Sequence, residues 1–259
     1  PTLTPTLPAP TPLVPPSEGG LWPMLAGDAA QTGFVAEGLM PLSANPRWSR
    51  NPRSSEGTGL VVGGGRVVFG VAGGAVRALD WATGITAWES PLGSKVIGAP
   101  ALYVSGDDAV AFAAVENGGL YALNLSDGGL AWSKSGDELS GAAYGLTVGG
   151  DGALYAATDT GWLHAFNPLT SEAYWSLDLT QSDSFYAPPA ITGAGIYLSS
   201  AYQALTAINP ATLETMWRAE TLGVPYTPPS AAEGLGAVFV GTDRGWVYAF
   251  SMADGSQWW

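Results

Sequence analysis

The chain has no cysteine and a single histidine among its 259 residues. Without cysteine there is no disulfide framework, no thiol nucleophile and no zinc site built on thiolates. One imidazole, His164, leaves a transition-metal site short of ligands, so no metal is expected. Cationic side chains are scarce too: 9 Lys and Arg face 22 Asp and Glu, a formal charge of −13. That sign is wrong for nucleic acid, where affinity comes from Lys and Arg displacing counterions. No run of 18 apolar residues is present to cross a bilayer as a helix. Position 1 is Pro, so membrane attachment is expected only through a missing upstream anchor.

What is present points to an all-β fold. Hydrophobic residues make up 46% of the chain, with 36 Gly, 20 Pro and 11 Trp. That mixture suits many short strands joined by tight turns around a sizeable core. The first 20 residues stand apart, with Pro at positions 1, 5, 8, 10, 12, 15 and 16 and Thr between several of them. So many missing amide donors exclude helix and sheet and favour extended polyproline II, roughly 3 Å per residue. Residues 1–20 therefore read as a stalk, or as a tail with no mechanical role, and residues 21–44 as a lead-in to the folded part.

From residue 45 onward the chain repeats itself. Trp48, Trp88, Trp132, Trp175, Trp217 and Trp259 are separated by 40, 44, 43, 42 and 42 residues. The last five close similar phrases: AVRALDWATGITAW (75–88), GLYALNLSDGGLAW (119–132), WLHAFNPLTSEAYW (162–175), ALTAINPATLETMW (204–217) and WVYAFSMADGSQWW (246–259). In each phrase an alternating apolar strand enters a turn and a short strand ends on Trp. A second alternating run precedes each phrase, as in Val67-Val68-Phe69 and Val238-Phe239-Val240, and a small-residue strand precedes that. Four antiparallel strands per period of about 42 residues predict β-propeller blades, with the small-residue strand at the crowded axis. The blade units fall at about 49–88, 89–132, 133–175, 176–217 and 218–259. The six tryptophans form a structural ladder between blades, each burying on the order of 200 Å². Asn45 to Arg50 adds one outer strand beyond the five blades. That orphan strand leads first to the expectation of a ring of six to eight blades completed by a missing C-terminal portion, then of an edge completed by another molecule, with an unusual five-bladed ring as the remaining alternative.

The phrase Ala78-Leu79-Asp80-Trp81-Ala82-Thr83-Gly84-Ile85-Thr86-Ala87-Trp88 resembles the tryptophan-docking motif of pyrroloquinoline-quinone-like repeats, A-x-D-x-x-T-G-x-x-x-W. The other four phrases are degenerate copies: Ala122, Ala165, Ala207 and Ala249 keep the alanine, Asn124, Asn167 and Asn209 replace the aspartate, and Ser251 departs from it. Trp22 to Asp28, followed by Gln31-Thr32-Gly33, resembles the lead-in segment of extracytoplasmic members. The resemblance implies an extracytoplasmic propeller. Quinoprotein dehydrogenases of this kind hold a quinone over a Trp platform with calcium and an Asp base, and often carry an adjacent Cys pair. None of those residues can be placed here, so no cofactor is expected, and Trp81, Trp162, Trp246 and Trp258 are assigned to blade packing.

Other enzyme readings fare no better. A glycosidase needs converging carboxylates, and the inner strands hold only Glu233 at a trailing edge. Glu138, Asp183 and Asp107-Asp108 lie in loops and read as solvated charges. His164 occupies the position of Arg77, Tyr121, Thr206 and Tyr248, with no nucleophile or orienting acid placed beside it. Gly63-Gly64-Gly65 is a hairpin turn rather than a phosphate loop. Arg47, Arg50 and Arg53 cluster around the first ladder Trp, as an acidic-partner contact or a solvated edge. The sequence therefore predicts a non-enzymatic extracytoplasmic scaffold for protein–protein interaction or self-association. The alternatives are a structural subunit of a surface assembly or filament, and a degenerate quinoprotein enzyme.

Overall fold

The structure, a computed structural model, describes residues 28–31, 48–49 and 58–259. Residues 1–20, most of the lead-in, and Arg47, Arg50 and Arg53 lie outside the described residues. Among the described residues nineteen strands form five antiparallel sheets in which sequence neighbours pair throughout. Blade 1 holds β1 (Val61–Gly63), β2 (Arg66–Val71), β3 (Ala75–Asp80) and β4 (Thr86–Pro91). Blade 2 holds β5 (Val96–Ser105), β6 (Asp108–Val115), β7 (Leu120–Asn124) and β8 (Leu130–Lys134). Blade 3 holds β9 (Ala143–Val148), β10 (Leu154–Thr158), β11 (Trp162–Phe166) and β12 (Ala173–Asp178). Blade 4 holds β13 (Ala190–Ile191), β14 (Ile196–Ser200), β15 (Ala204–Ile208) and β16 (Thr215–Glu220). Blade 5 holds β17 (Ser230–Ala232), β18 (Ala237–Gly241) and β19 (Val247–Ser251).

Two details differ from the four-strand expectation. The fourth strand of blade 5 is reduced to a bridge from Gln257 to Phe250 and two bonds between Ala249 and residues 258 and 259. The strands β13 and β17 are only two and three residues long. Pro188-Pro189 and Pro228-Pro229 precede them, and proline has no amide to extend the ladder. Trp48 and Ser49 carry no strand assignment.

The same register recurs where all four strands are present. Ala78 faces Trp88, Ala122 faces Trp132, Ala165 faces Trp175 and Ala207 faces Trp217. A register shift follows each of these alanines by one residue. The alanine leaves space for the indole, and the bulge swings the outer strand so that the ring leaves the sheet toward the next blade. Among the described residues, four apolar clusters seal the four joints between consecutive blades, and none of them joins blade 5 to blade 1.

The turn that receives each indole is also repeated. Residues 80–85, 124–129, 167–172, 209–214 and 251–256 close with the fifth amide bonded to the first carbonyl, and the first amide to the sixth carbonyl. The fifth residue is left-handed in every copy: Gly84, Gly128, Ser171, Leu213 and Gly255. At Gly84, Gly128 and Gly255 a Cβ would lie 2.6–2.7 Å from the ring of Trp48, Trp88 or Trp217. Glycine thus serves the backbone and the indole at once. Ser171 and Leu213 lack that freedom, and a left-handed L-residue costs about 1–2 kcal/mol. Ser171→Gly is accordingly expected to raise stability by about 0.5–1 kcal/mol and Gly128→Ala to lower it by more, read as opposite shifts in the urea midpoint.

Candidate functional site

The axis side of blades 3, 4 and 5 is tied together by four residues of the lead-in. The carbonyl of Ala29 accepts from the Ile191 amide at 2.6 Å, and that of Ala30 from the Ala231 amide at 2.8 Å. Gln31 Nε2 donates to Thr147 Oγ1 at 3.4 Å, and that hydroxyl donates to the Pro189 carbonyl at 2.8 Å. Gln31 is buried with φ +59°. One segment therefore reaches β9, β13 and β17, replacing bonds that the proline-shortened inner strands cannot make for themselves.

A second recurring position fastens blades 3, 4 and 5 to the loops that lead into them, while in blade 1 it pairs within the blade, Arg77 Nε donating to Glu89 Oε2 at 2.9 Å. It immediately precedes the alanine that faces each ladder Trp, and it holds Arg77, Tyr121, His164, Thr206 and Tyr248. His164 is buried, with Nε2 2.9 Å from the Leu139 carbonyl and Nδ1 2.8 Å from Ser176 Oγ. A carbonyl only accepts, so Nε2 carries the proton and Nδ1 accepts from the serine. Trp162 and Phe166 stack on its two sides at 5.8 and 5.5 Å. In the next blade Thr206 Oγ1 donates to Asp183 Oδ2 at 3.0 Å, while Arg218 Nε lies 3.5 Å from Asp183 Oδ1. In blade 5 the Tyr248 hydroxyl accepts from the Leu222 amide at 2.9 Å.

Burial holds the His164 pKa below the ordinary imidazole value, the Leu139 carbonyl opposes that shift, and the charge of Lys134 reinforces it. The unfolded chain therefore binds the proton more readily than the folded one. Its contribution to stability is complete above the unfolded value, near 6.5, and is lost as pH falls through the lower folded value. His164→Gln is expected to flatten that part of the stability–pH curve, measured by urea unfolding at a series of pH values. An unchanged slope would remove His164 as its source.

These contacts correct several of the roles expected from the sequence. Asp183 is not a solvated loop charge but is buried at 1% exposure beside Arg218. Glu138 is solvent-facing yet engaged, its carboxylate accepting from the Ser135 amide and hydroxyl to complete a helix cap. Those bonds, backbone first, hold its pKa below the usual carboxylate range. Glu233 accepts from the Gly193 amide at 2.9 Å. Trp162 packs on His164, but Trp81, Trp246 and Trp258 are exposed rather than buried between blades. Gly64 and Gly65, both at positive φ, make the hairpin turn between β1 and β2.

Three tyrosines lie together at the entries to the inner strands of blades 3, 4 and 5. Tyr144 and Tyr186 meet edge to face with centroids 5.0 Å apart, and Tyr186 meets Tyr226 at 6.4 Å in the same manner. Tyr186 is 41% and Tyr226 55% exposed. Burial raises the Tyr144 pKa, and the carboxylate of Asp159, then Tyr186 and Glu116, add to the shift. An arc of three phenol rings therefore runs from blade 3 to blade 5, with a Pro-Pro pair just after Tyr186 and Tyr226 and with Asp159 and Glu116 near Tyr144. It offers flat apolar contact and hydroxyl donors, with no nucleophile–base pair among these three rings. The two Tyr-x-Pro-Pro runs, Tyr186 to Pro189 and Tyr226 to Pro229, were the available signal for it in the sequence.

Sheets of this order, register and ladder define a β-propeller of four-stranded blades. The family model described as outer membrane protein assembly factor BamB matches residues 35–144 and 135–259, and the chain belongs to this family of pyrroloquinoline-quinone-like repeats. Among solved structures, BamB from Moraxella catarrhalis is 21% identical, with 76% of this chain and 57% of that one covered at a TM-score of 0.63. Quinohemoprotein alcohol dehydrogenase from Comamonas testosteroni is 14% identical, with 92% and 48% covered at 0.67. The computationally designed Ika8 protein is 16% identical, with 78% and 60% covered at 0.61. The chain thus spans between about half and three fifths of the length of these structures, and at such identities the likeness is one of fold. No curated protein matches it in sequence.

Proposed function

We propose that the chain is a non-enzymatic, extracytoplasmic interaction scaffold that receives an extended protein segment across Tyr144, Tyr186 and Tyr226. The observation that carries this reading is the exposure of Tyr186 and Tyr226 on rigid strand entries, where neither ring closes a blade joint. Tyrosine supplies large contact area at low entropic cost, which is why it is enriched in binding surfaces. Membership of a family described by an outer membrane assembly factor favours a protein partner outside the cytoplasm.

A photo-crosslinking residue introduced at Tyr226, with a second at the exposed Thr86 as control, tests the assignment in the native cell. A discrete heterologous protein adduct from position 226 and none from position 86 is the expected result. An adduct of two copies of the chain would replace it with the structural-subunit reading. Adducts from neither position would remove the surface from consideration. Pyrroloquinoline quinone with calcium is expected to leave tryptophan fluorescence unchanged, and saturable quenching would move the chain to the enzymatic branch.

A further inference from the structure

We propose that the tyrosine arc takes an extended protein segment with basic side chains at alternate positions, arginine above all, stacked on the phenol rings between two fixed carboxylates, Asp159 and Asp243. The inference rests on the reading of the arc as a binding surface and names the chemistry of its partner. Side chains on one face of an extended segment recur every second residue, about 6.6–7 Å apart. The rings of Tyr144, Tyr186 and Tyr226 follow one another at 5.0 and 6.4 Å, so alternate residues of such a segment fall on successive rings. A cation over a phenol face is attracted by the ring's π electrons, and the flat guanidinium also stacks on it.

The carboxylates come from one position of the repeat. In blades 3, 4 and 5 a residue of the hairpin between the second and third strands donates its amide to the loop that enters the blade: Asp159 to the Ala142 carbonyl, Ala201 to Ser184 and Asp243 to Val224. Each accepting residue lies two positions before an arc tyrosine, so each hairpin stands beside its ring. Asp159 and Asp243 hold these loops a second time, Oδ1 accepting from the Ala142 amide at 2.9 Å and from the Val224 amide at 2.8 Å. Both carboxylates are thereby fixed through one oxygen, while Oδ2 has no hydrogen bond or ion pair among the described residues. One stands at the blade 3 end of the arc and the other at the blade 5 end, with uncharged Ala201 between them. The cation of these hairpins is Arg244, whose stem packs over Gly223. An acidic segment would meet like charge here and a formal charge of −13 over the chain, whereas a basic one is steered in.

Asparagine keeps the Oδ1 acceptor of aspartate and drops the charge, so Asp159→Asn combined with Asp243→Asn leaves the loop bonds in place. The probe is a short capped peptide alternating arginine with alanine, titrated into the isotope-labelled full chain. The same peptide with citrulline, the neutral isostere of arginine, and with glutamate serve as comparisons. Amide signals around positions 144, 186 and 226 are expected to shift saturably with the arginine peptide, about fivefold or more weakly with citrulline, and not at all with glutamate. The paired asparagine variant and Tyr186→Leu are each expected to weaken arginine-peptide binding about fivefold or more. Asp107→Asn with Asp127→Asn removes the same charge at the other end of the strands and is expected to leave that affinity unchanged. Equal binding of the arginine and citrulline peptides would overturn the proposal, as would equal effects of the two asparagine pairs. Shifts spread over other acidic loops, or no binding of the arginine peptide, would overturn it too. Any of these results alongside a position-226 adduct would discard the basic partner and leave the binding surface standing.

Discussion

Trp88→Ala is expected to destabilise the protein by about 3–5 kcal/mol, while Trp259→Ala costs less than about 1. The two residues occupy the same place in their repeats and differ in what covers them. Trp88 is 7% exposed, packs within the joint of blades 1 and 2, and donates Nε1 to the Leu125 carbonyl at 2.9 Å. Its removal leaves a cavity against Gly128 and an unpaired carbonyl, and both terms add. Trp259 is 59% exposed and touches Phe239 with ring centroids 6.1 Å apart. Its strand neighbour Val247 is 57% exposed, whereas Val76, Leu120, Leu163 and Leu205 at the same repeat position are fully buried. Urea unfolding of both variants checks the contrast. Equal losses would mean that the ladder acts through local sheet structure and not through the blade joint.

Arg218→Met is expected to cost about 2–4 kcal/mol, placed below the full value for a buried pair because the arginine is partly exposed. Asp183 is enclosed, and Thr206 and Ser182 bond one carboxylate oxygen, Oδ2. The other oxygen, Oδ1, has Arg218 Nε at 3.5 Å and no hydrogen bond among the described residues. Without the guanidinium that oxygen is left desolvated and uncompensated. Arg218 Nη2 also approaches the carbonyls of Ser182 and Tyr202, so two loops lose an anchor together. Asp183→Leu combined with Arg218→Met should recover part of the loss, because removing both charges is cheaper than removing one. A double variant no more stable than Arg218→Met would place the cost in packing.

The blades were legible because a propeller writes its period into large, rare residues. Tryptophan every 42 residues or so, with alanine ten positions before it, reports a pairing that each blade must repeat. That Glu138 faces solvent was readable, but its place in a helix cap with Ser135 was not. Asp183 was not, because its partner lies 35 residues further on, across a strand pair, and neither residue breaks a local pattern. The four residues Asp28–Gln31 carry no periodicity, and their role comes from three inner strands being short of partners. Trp81, Trp246 and Trp258 misled for the opposite reason: abundance of an aromatic that elsewhere marks the core suggested burial that the turn and edge positions do not provide. The tyrosine arc depends on an order of blades around an axis, which a linear spacing does not contain.

The indole of Trp48 donates to the Trp81 carbonyl at 2.9 Å and lies against Gly84, in the receiving turn of blade 1. Each such turn has room for one indole. Trp259 therefore has no vacant berth on blade 1, in its own molecule or in a neighbouring copy, unless Trp48 is evicted first. Stacking blade 5 of one copy on blade 1 of the next would be a head-to-tail contact, and such a contact builds fibres when it fails to close. With Trp48 seated, that turn of blade 1 is closed to a second indole from any copy of the chain.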